Sequence, residues 1–561
     1  MAVQFDETEQ TKRLDFLRKR EEEELAQMLS AKYGVEYVDL SLVAINGDAL
    51  RVISEEESRA VEAVAFGRID KKLSVAVRAP EKADVKMLVQ KLTEKGYQVT
   101  LFICSEESLK RAYARYADLS YATESKAGVF ELSNQEVEEL SGKVKTLEEI
   151  GALINEATEM KRAYRITRIL EIILAGGLST GASDIHFEPE EVAVRLRYRL
   201  DGILVDVLTF DHDTYHLVLS RLKLLSGLKL NVTDEAQDGR FSIKIKGDEI
   251  ELRTSILPGN YAETLVMRIL NPKSIGVPLE ELGIEEKLRL RIEKEIQKPN
   301  GMILTTGPTG SGKTTTLYAF LRKINSPGSK IITIEDPVEY HLPGIVQTQV
   351  DKKTYTFALG LRSALRQDPD IIMVGEIRDD EVASTAINAA LTGHLVFSTL
   401  HTNDAAGSFP RLIDLGISEK VLSSAINVVI AQRLLRKLCP ACKKQRGAMP
   451  PEQAIIDRSL ASITDRSLIP PITNLIWDGA PNGCIECHGR GYKGRIGIYE
   501  AIFMDSKIEA VLRSKPSEHE VAEAAKPQAI PTMQEDGVLK ILRGITSLEE
   551  LGRVVDLDTV K

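Results

Sequence analysis

One segment of the sequence has the residue types and the spacing of a phosphate-binding loop. It reads Gly307-Pro308-Thr309-Gly310-Ser311-Gly312-Lys313-Thr314 and fits the pattern G-x-x-x-x-G-K-[ST]. The glycines let backbone N–H groups turn inward around phosphate oxygens, because no Cβ atom stands in the way. The pattern predicts that Lys313 contacts the β- and γ-phosphates and that the Thr314 hydroxyl binds Mg²⁺. Thr315, at the start of the next helix, completes the predicted nucleotide-binding residues.

The flanking residues provide the elements that such a loop requires. Residues 301–306 are an apolar run that predicts a buried strand, and residues 315–324 predict a helix. A helix that begins at the loop adds partial positive charge toward a bound phosphate. Because strand, loop and helix are all present, an accidental glycine-rich turn is the less favoured interpretation.

Polar side chains accompany three more apolar runs, which follow at the spacing of a parallel sheet. Glu335 and Glu339 close the first run, Glu376 closes the second, and His394 and His401 flank the third. In doubly wound sheets, ligands bind at the carboxyl ends of the strands. We therefore expect an α/β fold in which all five side chains lie next to the phosphate-binding loop.

Four of the five cysteines form two C-x-x-C pairs, Cys439 with Cys442 and Cys484 with Cys487. Four thiolates suit tetrahedral Zn²⁺, and a site without an open position is structural rather than catalytic. The insert between the pairs is longer than in common zinc ribbons, so the fold must bring the pairs together. His488 is a weaker alternative ligand, and the fifth cysteine, Cys104, is predicted to be a buried apolar residue.

The bulk composition limits the class of protein. At 561 residues the chain is long enough for three or four domains, and 43% hydrophobic with 28% charged residues is typical of a globular protein. A formal net charge of −10 argues against a nucleic acid partner bound through bulk electrostatics. No apolar run reaches the roughly 18 residues of a membrane span. With no signal-peptide pattern at the start, we expect a cytoplasmic protein.

The residues before the phosphate-binding loop predict two smaller α/β domains. A charged helix over residues 7–33 begins the first domain, at residues 1–118, and a polar linker follows at residues 119–145. The second domain, residues 146–275, contains a strand on which Arg195, Arg197 and Arg199 alternate with apolar residues. A solvated face is the favoured interpretation of these three arginines.

The phosphate-binding loop and the three polar runs resemble the Walker A, aspartate box, Walker B and histidine box of the secretion ATPase superfamily. The resemblance implies a RecA-like P-loop ATPase core at residues 285–561, with a zinc-binding insertion at residues 439–490. It further implies a PAS-like second domain, a first domain that docks onto partners, and a homohexamer. The implied cofactors are ATP, Mg²⁺ and Zn²⁺.

The resemblance also implies roles for individual residues. Glu339 is expected to polarise the attacking water, with Glu335 as the less favoured candidate, while Glu376 holds Mg²⁺ together with Thr314 and His401 reports the γ-phosphate. Three arginines of the second domain are expected to supply positive charge to the nucleotide: Arg240, Arg253 and Arg268.

Some relatives bind a cyclic dinucleotide through an Arg-Leu-Gly motif near the N-terminus. Here Asp15 follows Arg13-Leu14, so that motif is not kept. The sequence leaves open whether a cyclic dinucleotide regulates the protein.

The function implied is a motor for type IV pilus assembly that acts through an inner-membrane platform protein, peripherally at the cytoplasmic membrane. A type II secretion ATPase is the alternative, because paired cysteines accompany both the pilus-extension and the secretion branches. An ATPase of DNA uptake or conjugation is less favoured because of the acidic balance. An inactive scaffold is also disfavoured, since Lys313, Thr314, Glu339 and Glu376 are all present.

Overall fold

The described part of the chain folds into three large β-sheets and one small one. The computed structural model describes residues 22–557 apart from residues 41–42, 44, 46, 51, 70, 117–128, 132–145, 161, 246–247, 272–275, 352–353 and 472–473. Two compact units result, drawn from residues 1–123 with 157–168 and from residues 124–156 with 169–561. Residues 22–33 of the predicted first helix are helical, whereas the stretch Arg13-Leu14-Asp15 lies outside the described residues.

The first unit is built on a four-stranded sheet in the order β1-β4-β3-β2. Its strands are β1 (Glu36–Tyr37), β2 (Ala63–Ile69), β3 (Lys72–Val77) and β4 (Gln98–Ile103). Helices lie at Gly47–Leu50, Glu55–Val61, Ala83–Glu94 and Glu106–Tyr116. Cys104 is 2% exposed within the apolar core, and burial raises the pKa of its thiol to about 12. The prediction of a buried Cys104 is confirmed.

The second sheet has seven strands in the order β5-β9-β10-β11-β6-β7-β8. They are β5 (Val129–Glu131), β6 (Asp184–Pro189), β7 (Val194–Leu200), β8 (Ile203–Phe210), β9 (Gln237–Ile245), β10 (Asp248–Leu257) and β11 (Thr264–Leu270). Helices lie at Leu147–Thr158, Arg162–Ser179 and His212–Leu225. Strand alternation buries one face, where the Tyr198 hydroxyl donates to the carbonyl of Ile173 at 2.7 Å. β5 lies within the predicted linker but pairs with β9, because the edge of a sheet offers free backbone groups.

The third sheet also has seven strands, in the order β14-β13-β15-β16-β12-β17-β20. They are β12 (Gly301–Thr306), β13 (Ile331–Glu335), β14 (Val346–Gln349), β15 (Ile371–Val374), β16 (Leu395–Leu400), β17 (Ile426–Leu438) and β20 (Tyr492–Phe503). All neighbours are parallel except β17 and β20. β12, β13, β15 and β16 read as continuous apolar runs because both faces of the sheet are covered.

Helices cover the two faces of the third sheet. Ile303 packs with the helices Glu286–Glu295 and Lys313–Ile324, whereas its neighbours Met302 and Leu304 face the opposite core. That second core is formed with Phe357–Leu365, Asp380–Leu391, Ser408–Asp414, Glu419–Ala425, Ser506–Leu512, Glu518–Ala525, Met533–Leu542 and Leu548–Gly552. The predicted α/β fold is therefore confirmed.

A small hairpin-like element lies between the two cysteine pairs. It consists of β18 (Lys444–Gly447), the helix Pro450–Ser462 and β19 (Leu475–Asp478), with β18 antiparallel to β19. Pairing of Lys444 with Asp478 brings the chain back beside its starting point, which shortens the gap between the cysteine pairs. Among the described residues, no helix has the length and apolar content that crossing a bilayer requires.

Candidate active site and metal centre

The predicted phosphate-binding loop connects β12 to the helix Lys313–Ile324. Gly307 and Gly312 have φ angles of 143° and 90°, which side chains rarely adopt. A Cβ atom at Gly307 would lie 2.5 Å from the carbonyl oxygen of Gln432. The backbone path therefore requires glycine, and the predicted strand, loop and helix are confirmed.

The loop presents hydrogen-bond donors at its inner surface. Lys313 Nζ donates to the carbonyls of Gly307 at 2.7 Å and Pro308 at 3.1 Å. The Ser311 hydroxyl is buried and has no hydrogen-bond partner among the described residues. Burial lowers the pKa of Lys313, and the charge of Glu376 opposes that effect. An ammonium group, an unpaired hydroxyl and a helix N-terminus together fit a phosphate chain.

The two candidate carboxylates after β13 lie in different environments. Glu335 is 3% exposed and accepts hydrogen bonds from the Tyr318 hydroxyl and, at 3.1 Å, from Gln347 Nε2. Burial raises the pKa of Glu335. The Glu339 side chain is 30% exposed. Glu335 thus belongs to a buried hydrogen-bond network, whereas Glu339 is open to water, so the choice of Glu339 as the group that polarises water stays a prediction consistent with its exposure.

Glu376 and His401 approach each other at the carboxyl ends of β15 and β16. His401 Nε2 lies 3.3 Å from Glu376 Oε2, and Arg378 pairs with the other carboxylate oxygen. The Glu376 side chain is 14% exposed and the His401 side chain 49%. Glu376 offers a carboxylate whose charge acts on Lys313, and its role in holding Mg²⁺ stays a prediction.

The expectation that His394 lies next to the phosphate-binding loop is wrong. His394 precedes β16 and its ring Nδ1 lies 3.1 Å from the carbonyl of Ala389, at the amino end of the sheet. A strand advances about 3.3 Å per residue, which separates His394 from His401 by about 23 Å. The predicted site lies at the carboxyl end of β16, where His401 is found. Because His394 lies at the amino end of the same strand, the two histidines cannot both belong to the site.

The three arginines predicted to supply charge form a row across the second sheet. Arg253 of β10 is paired directly with Arg240 of β9 and with Arg268 of β11. Residues opposite each other in antiparallel strands point to the same face. On the next strand, β6, Asp184 is paired with Arg268, and Arg268 Nε donates to Asp184 Oδ1 at 3.0 Å. Arg240 is exposed and makes no ion pair with any described residue.

Arg253 extends from this row to the loop that carries Glu339. Its Nη2 donates to the carbonyl of Val338 at 2.6 Å, and its Nη1 lies 3.5 Å from Glu339 Oε2. Its Nε lies 3.3 Å from Glu251 Oε1 on the same strand. One side chain of the second sheet thus contacts the carboxylate that the sequence assigns to water activation.

The other arginine-rich strand, β7, is not a simple solvated face. Arg197 pairs with Glu188 at 2.5 Å, Arg195 with Glu190 at 2.9 Å and Arg199 with Asp184 at 3.3 Å. Each guanidinium has a carboxylate partner within the sheet, which supports a structural role for these arginines.

The two cysteine pairs come together as predicted. The four Sγ atoms of Cys439, Cys442, Cys484 and Cys487 all lie within 4.8 Å of one another. The Sγ atoms of Cys439 and Cys484 are 3.7 Å apart, and those of Cys442 and Cys487 are 3.8 Å apart. Zn–S bonds of about 2.3 Å in a tetrahedron give S···S distances of about 3.8 Å, so the cluster fits Zn²⁺. His488 is not part of this cluster.

Backbone N–H groups stabilise the thiolate form of one cysteine of the cluster, Cys487. Those of Cys484 and Gly491 donate to Cys487 Sγ at 3.1 and 3.2 Å. Burial by itself raises the pKa of this thiol, but the hydrogen bonds outweigh it and bring the pKa to about 7. Arg490 beside the cluster donates to the carbonyl of Cys487 at 3.1 Å and to Asp201 in the β7–β8 turn at 2.9 Å.

Two residues of β17 near the loop were not identified from the sequence. Gln432 is 1% exposed, and its Nε2 donates to the carbonyl of Ser311 at 2.7 Å. Arg433 contacts Asn403, which follows His401 by two residues. The available signal was the polar pair Gln432-Arg433, which directly follows the apolar run Val428 to Ala431, where a polar residue needs a partner.

Two protein families match the chain, and proteins of known name are similar to most of its length. The family described as type II/IV secretion system protein matches residues 159–553, and the family described as MshEN domain matches residues 33–123. Type II secretion system protein E of Pseudomonas aeruginosa is 40% identical over 466 residues, or 82% of this chain and 88% of the relative. Type IV pilus assembly ATPase PilB of Myxococcus xanthus is 36% identical over 542 residues, or 95% of this chain and 91% of the relative.

A solved structure shares the fold. The ATPase DotB of Yersinia pseudotuberculosis superposes with a TM-score of 0.51 at 20% sequence identity. The match covers 72% of this chain and 95% of that chain.

Proposed function

The chain belongs to the type II/IV secretion system protein family and is an ATPase, and from this premise we propose that it is a hexameric motor for type IV pilus assembly. The extent of the match supports this choice. The relative named as a pilus assembly ATPase aligns with 95% of the chain, whereas the relative from Pseudomonas aeruginosa aligns with 82%. A type II secretion ATPase is the second candidate, because relatives of that name have the higher identities, 40–43% against 36%.

One observation supports the proposed chemistry: Lys313, Glu339, Glu376 and His401 all follow the carboxyl ends of strands of the third sheet. Lys313 would bind the β- and γ-phosphates, and Glu339 would orient the attacking water. Glu376 and Thr314 would hold Mg²⁺, which neutralises phosphate charge when bound. His401, 3.3 Å from Glu376, would contact the γ-phosphate.

The arginine row of the second sheet supports a route from hydrolysis to movement. Like charges placed directly opposite each other in a sheet repel, and Arg240, the member of the row that has no carboxylate partner among the described residues, would gain most from an anionic ligand near this face. In other nucleotide hydrolases, a guanidinium at the γ-phosphate raises the rate by roughly 10³ to 10⁵. Arg253 already reaches the Glu339 loop, so a change at the γ-phosphate would alter the contact between the two sheets.

The remaining assignments follow from the relatives and from the cysteine cluster. Cys439, Cys442, Cys484 and Cys487 would hold a structural Zn²⁺, since four thiolates leave no position for water. We place the motor at the cytoplasmic side of a membrane, where an inner-membrane platform protein would receive the movement, and we assign it no nucleic acid substrate.

Two experiments test the proposal. Phosphate release by the purified protein with ATP and Mg²⁺ tests hydrolysis, and Lys313→Ala serves as the inactive control. Deletion of the gene, with complementation by the wild-type or the Lys313→Ala chain, tests the process served. Loss of surface pili with unchanged protein secretion supports pilus assembly. Loss of secretion with normal pili contradicts it and favours the second candidate.

A further inference from the structure

Arg433 lies where the phosphate-binding loop meets the segment after β16. β17 runs parallel to β12, and Ala431 is paired with Thr306, the last residue before the loop. The next residue, Gln432, donates to the carbonyl of Ser311 inside the loop. Arg433 instead contacts the segment after β16: its Nη2 lies 3.3 Å from the carbonyl oxygen of Asn403 and 3.4 Å from Asn403 Oδ1.

The segment that Arg433 contacts is joined to the start of the loop. The hydroxyl oxygens of Thr402 and Thr306 are 2.7 Å apart, and the Thr402 N–H donates to Thr306 Oγ1 at 2.9 Å. Asn403 therefore adjoins both the residue that precedes the loop and the segment that begins with His401. Arg433 thus contacts one of the two parts of the chain that would enclose the phosphates, and its neighbour Gln432 contacts the other.

Arg433 forms no direct ion pair with a carboxylate of the described residues, although the charges of Glu500 and Asp404 act on it and favour its charged form. No carboxylate oxygen among the described residues lies within 4.0 Å of its guanidinium. The nearest acidic residues have other partners, since Asp404 accepts from the Gly407 N–H and Glu500 from the N–H groups of Ala405 and Met533. Burial lowers the pKa of Arg433, and the charge of Arg433 in turn lowers the pKa of Lys313. The two cations therefore share one region.

We propose that Arg433 contacts the terminal phosphate of the bound nucleoside triphosphate, from the same chain that carries the phosphate-binding loop. A half-buried guanidinium with only long contacts to neutral oxygens gains most from an anion, and its planar fork matches phosphate. Its contact with Asn403 then links the terminal phosphate to the His401 segment. This inference rests on the phosphate site proposed above, and it adds a cation separate from the arginine row.

The test compares affinities for two nucleotides. Arg433→Met removes the charge at similar length, and Lys437→Met is the matched control, because Lys437 is an exposed cation four residues along the same strand. The full-length variants are titrated with fluorescent ADP and with a non-hydrolysable ATP analogue. We expect Arg433→Met to weaken binding of the ATP analogue at least tenfold and binding of ADP less than threefold. Arg433→Lys should restore part of the difference, and Lys437→Met should change neither affinity.

Two outcomes would overturn the inference. Unchanged affinity for the ATP analogue in Arg433→Met would mean that no phosphate contact exists. Equal loss for both nucleotides, together with a lower thermal midpoint, would assign Arg433 to the fold. Lys313→Ala, measured in parallel, tests the phosphate site independently of Arg433. If Lys313→Ala weakens nucleotide binding and Arg433→Met does not, only the role of Arg433 is refuted. If neither variant weakens binding, the phosphate site itself is misplaced.

Discussion

Arg253 Nη1 lies 3.5 Å from Glu339 Oε2, and this contact joins two sheets that are separate in sequence. The arginine belongs to β10 of the second sheet, and the glutamate follows β13 of the third. Arg253 also donates to the carbonyl of Val338, so it holds the backbone of the same loop. Movement of Arg253 toward a phosphate would therefore break its contacts with Glu339 and with the backbone of the same loop.

The first prediction concerns the phosphate-binding loop. Lys313→Ala should reduce ATP turnover by at least about a hundredfold and weaken nucleotide binding, because the variant lacks the ammonium group facing the phosphates. Steady-state phosphate release measures the effect. Lys323→Ala is the control. Lys323 lies in the last turn of the same helix, away from the phosphate-binding loop, and pairs with Glu280, so loss of the Lys323 side chain should leave turnover unchanged. Normal turnover by Lys313→Ala would exclude this site.

The second prediction separates the two carboxylates after β13. Glu339→Gln should still bind ATP but hydrolyse it about a hundredfold more slowly, because general-base assistance is lost. Glu335→Gln should keep most of its turnover, since Glu335 is 3% exposed and bonded within the core. Single-turnover hydrolysis and ATP binding are measured for both variants. The opposite order of rates would transfer the role of base to Glu335.

The third prediction concerns the arginine row. Arg240→Ala and Arg253→Ala should each lower turnover strongly, by tenfold or more, with little change in the thermal midpoint. Arg195→Ala is the control, because Arg195 lies on the same sheet outside the row and pairs with Glu190. An effect below about twofold for both row variants would show that these arginines serve the fold only.

A mixing experiment decides whether the row acts within one chain. Inactive Arg240→Ala and inactive Lys313→Ala subunits are combined at varied ratios and assayed for phosphate release. Recovery of turnover would indicate that an arginine from one subunit serves the loop of another. No recovery at any ratio would indicate action within a chain.

The fourth prediction concerns the metal. The protein should contain one Zn²⁺ per chain, and Cys442→Ser should lose it together with oligomer integrity, because the ion ties two distant segments together. Elemental analysis of protein purified without added metal measures the content, and size-exclusion chromatography measures the assembly. Nucleotide binding should persist in the variant, since the cluster lies outside the phosphate-binding loop. Zinc near zero in the wild type, with four freely titratable thiols, would refute the site.

Metal loss should also loosen the turn between β7 and β8. Arg490 is held by the carbonyl of Cys487 and pairs with Asp201 in that turn. Hydrogen exchange around residues 200–203 should therefore be faster in Cys442→Ser than in the wild type. Asp201→Asn, which removes the charge and tolerates the turn conformation, should give the same local change with zinc retained.

The fifth prediction is a pH dependence of stability. Burial raises the pKa of Glu335 above the ordinary value of about 4.3, so the folded state favours its protonated form. The contribution of Glu335 to stability is present below that ordinary pKa and is lost as the pH rises through the raised pKa. Relative to Glu335→Gln, the wild type should therefore lose thermal stability over the pH range above about 4.3, where the unfolded state gives up this proton and the folded state still holds it. A constant difference in thermal midpoint across this range would contradict the prediction.

Much of the site could be predicted because its parts are local in sequence. The phosphate-binding loop needs glycines, a lysine and a threonine at fixed spacing between a strand and a helix, and eight consecutive residues specify all of these. The cysteine pairs are likewise local, since each C-x-x-C offers one bite of a metal site. Continuous apolar runs identified the parallel strands, because both faces of that sheet are buried.

Other features depended on which strands became neighbours. Strand alternation places Arg253 on one face of β10, but only the register of β9, β10 and β11 puts it between Arg240 and Arg268. The sequence placed His394 at the site because it adjoins the right strand, and the direction of that strand puts it at the other end. Arg433 had no motif of its own, and only the pairing of β17 with β12 brings it beside the loop.

The sequence by itself thus determined the chemistry available to this protein: a loop for phosphate, carboxylates at strand ends and four thiolates for a metal. The tertiary structure decided which candidates meet. It buried Glu335 against Tyr318, left Glu339 accessible to Arg253, and closed the cysteine cluster through β18 and β19. The physical reason is that a residue's type and local spacing are written in the chain, whereas burial and contact depend on elements packed from distant parts of it.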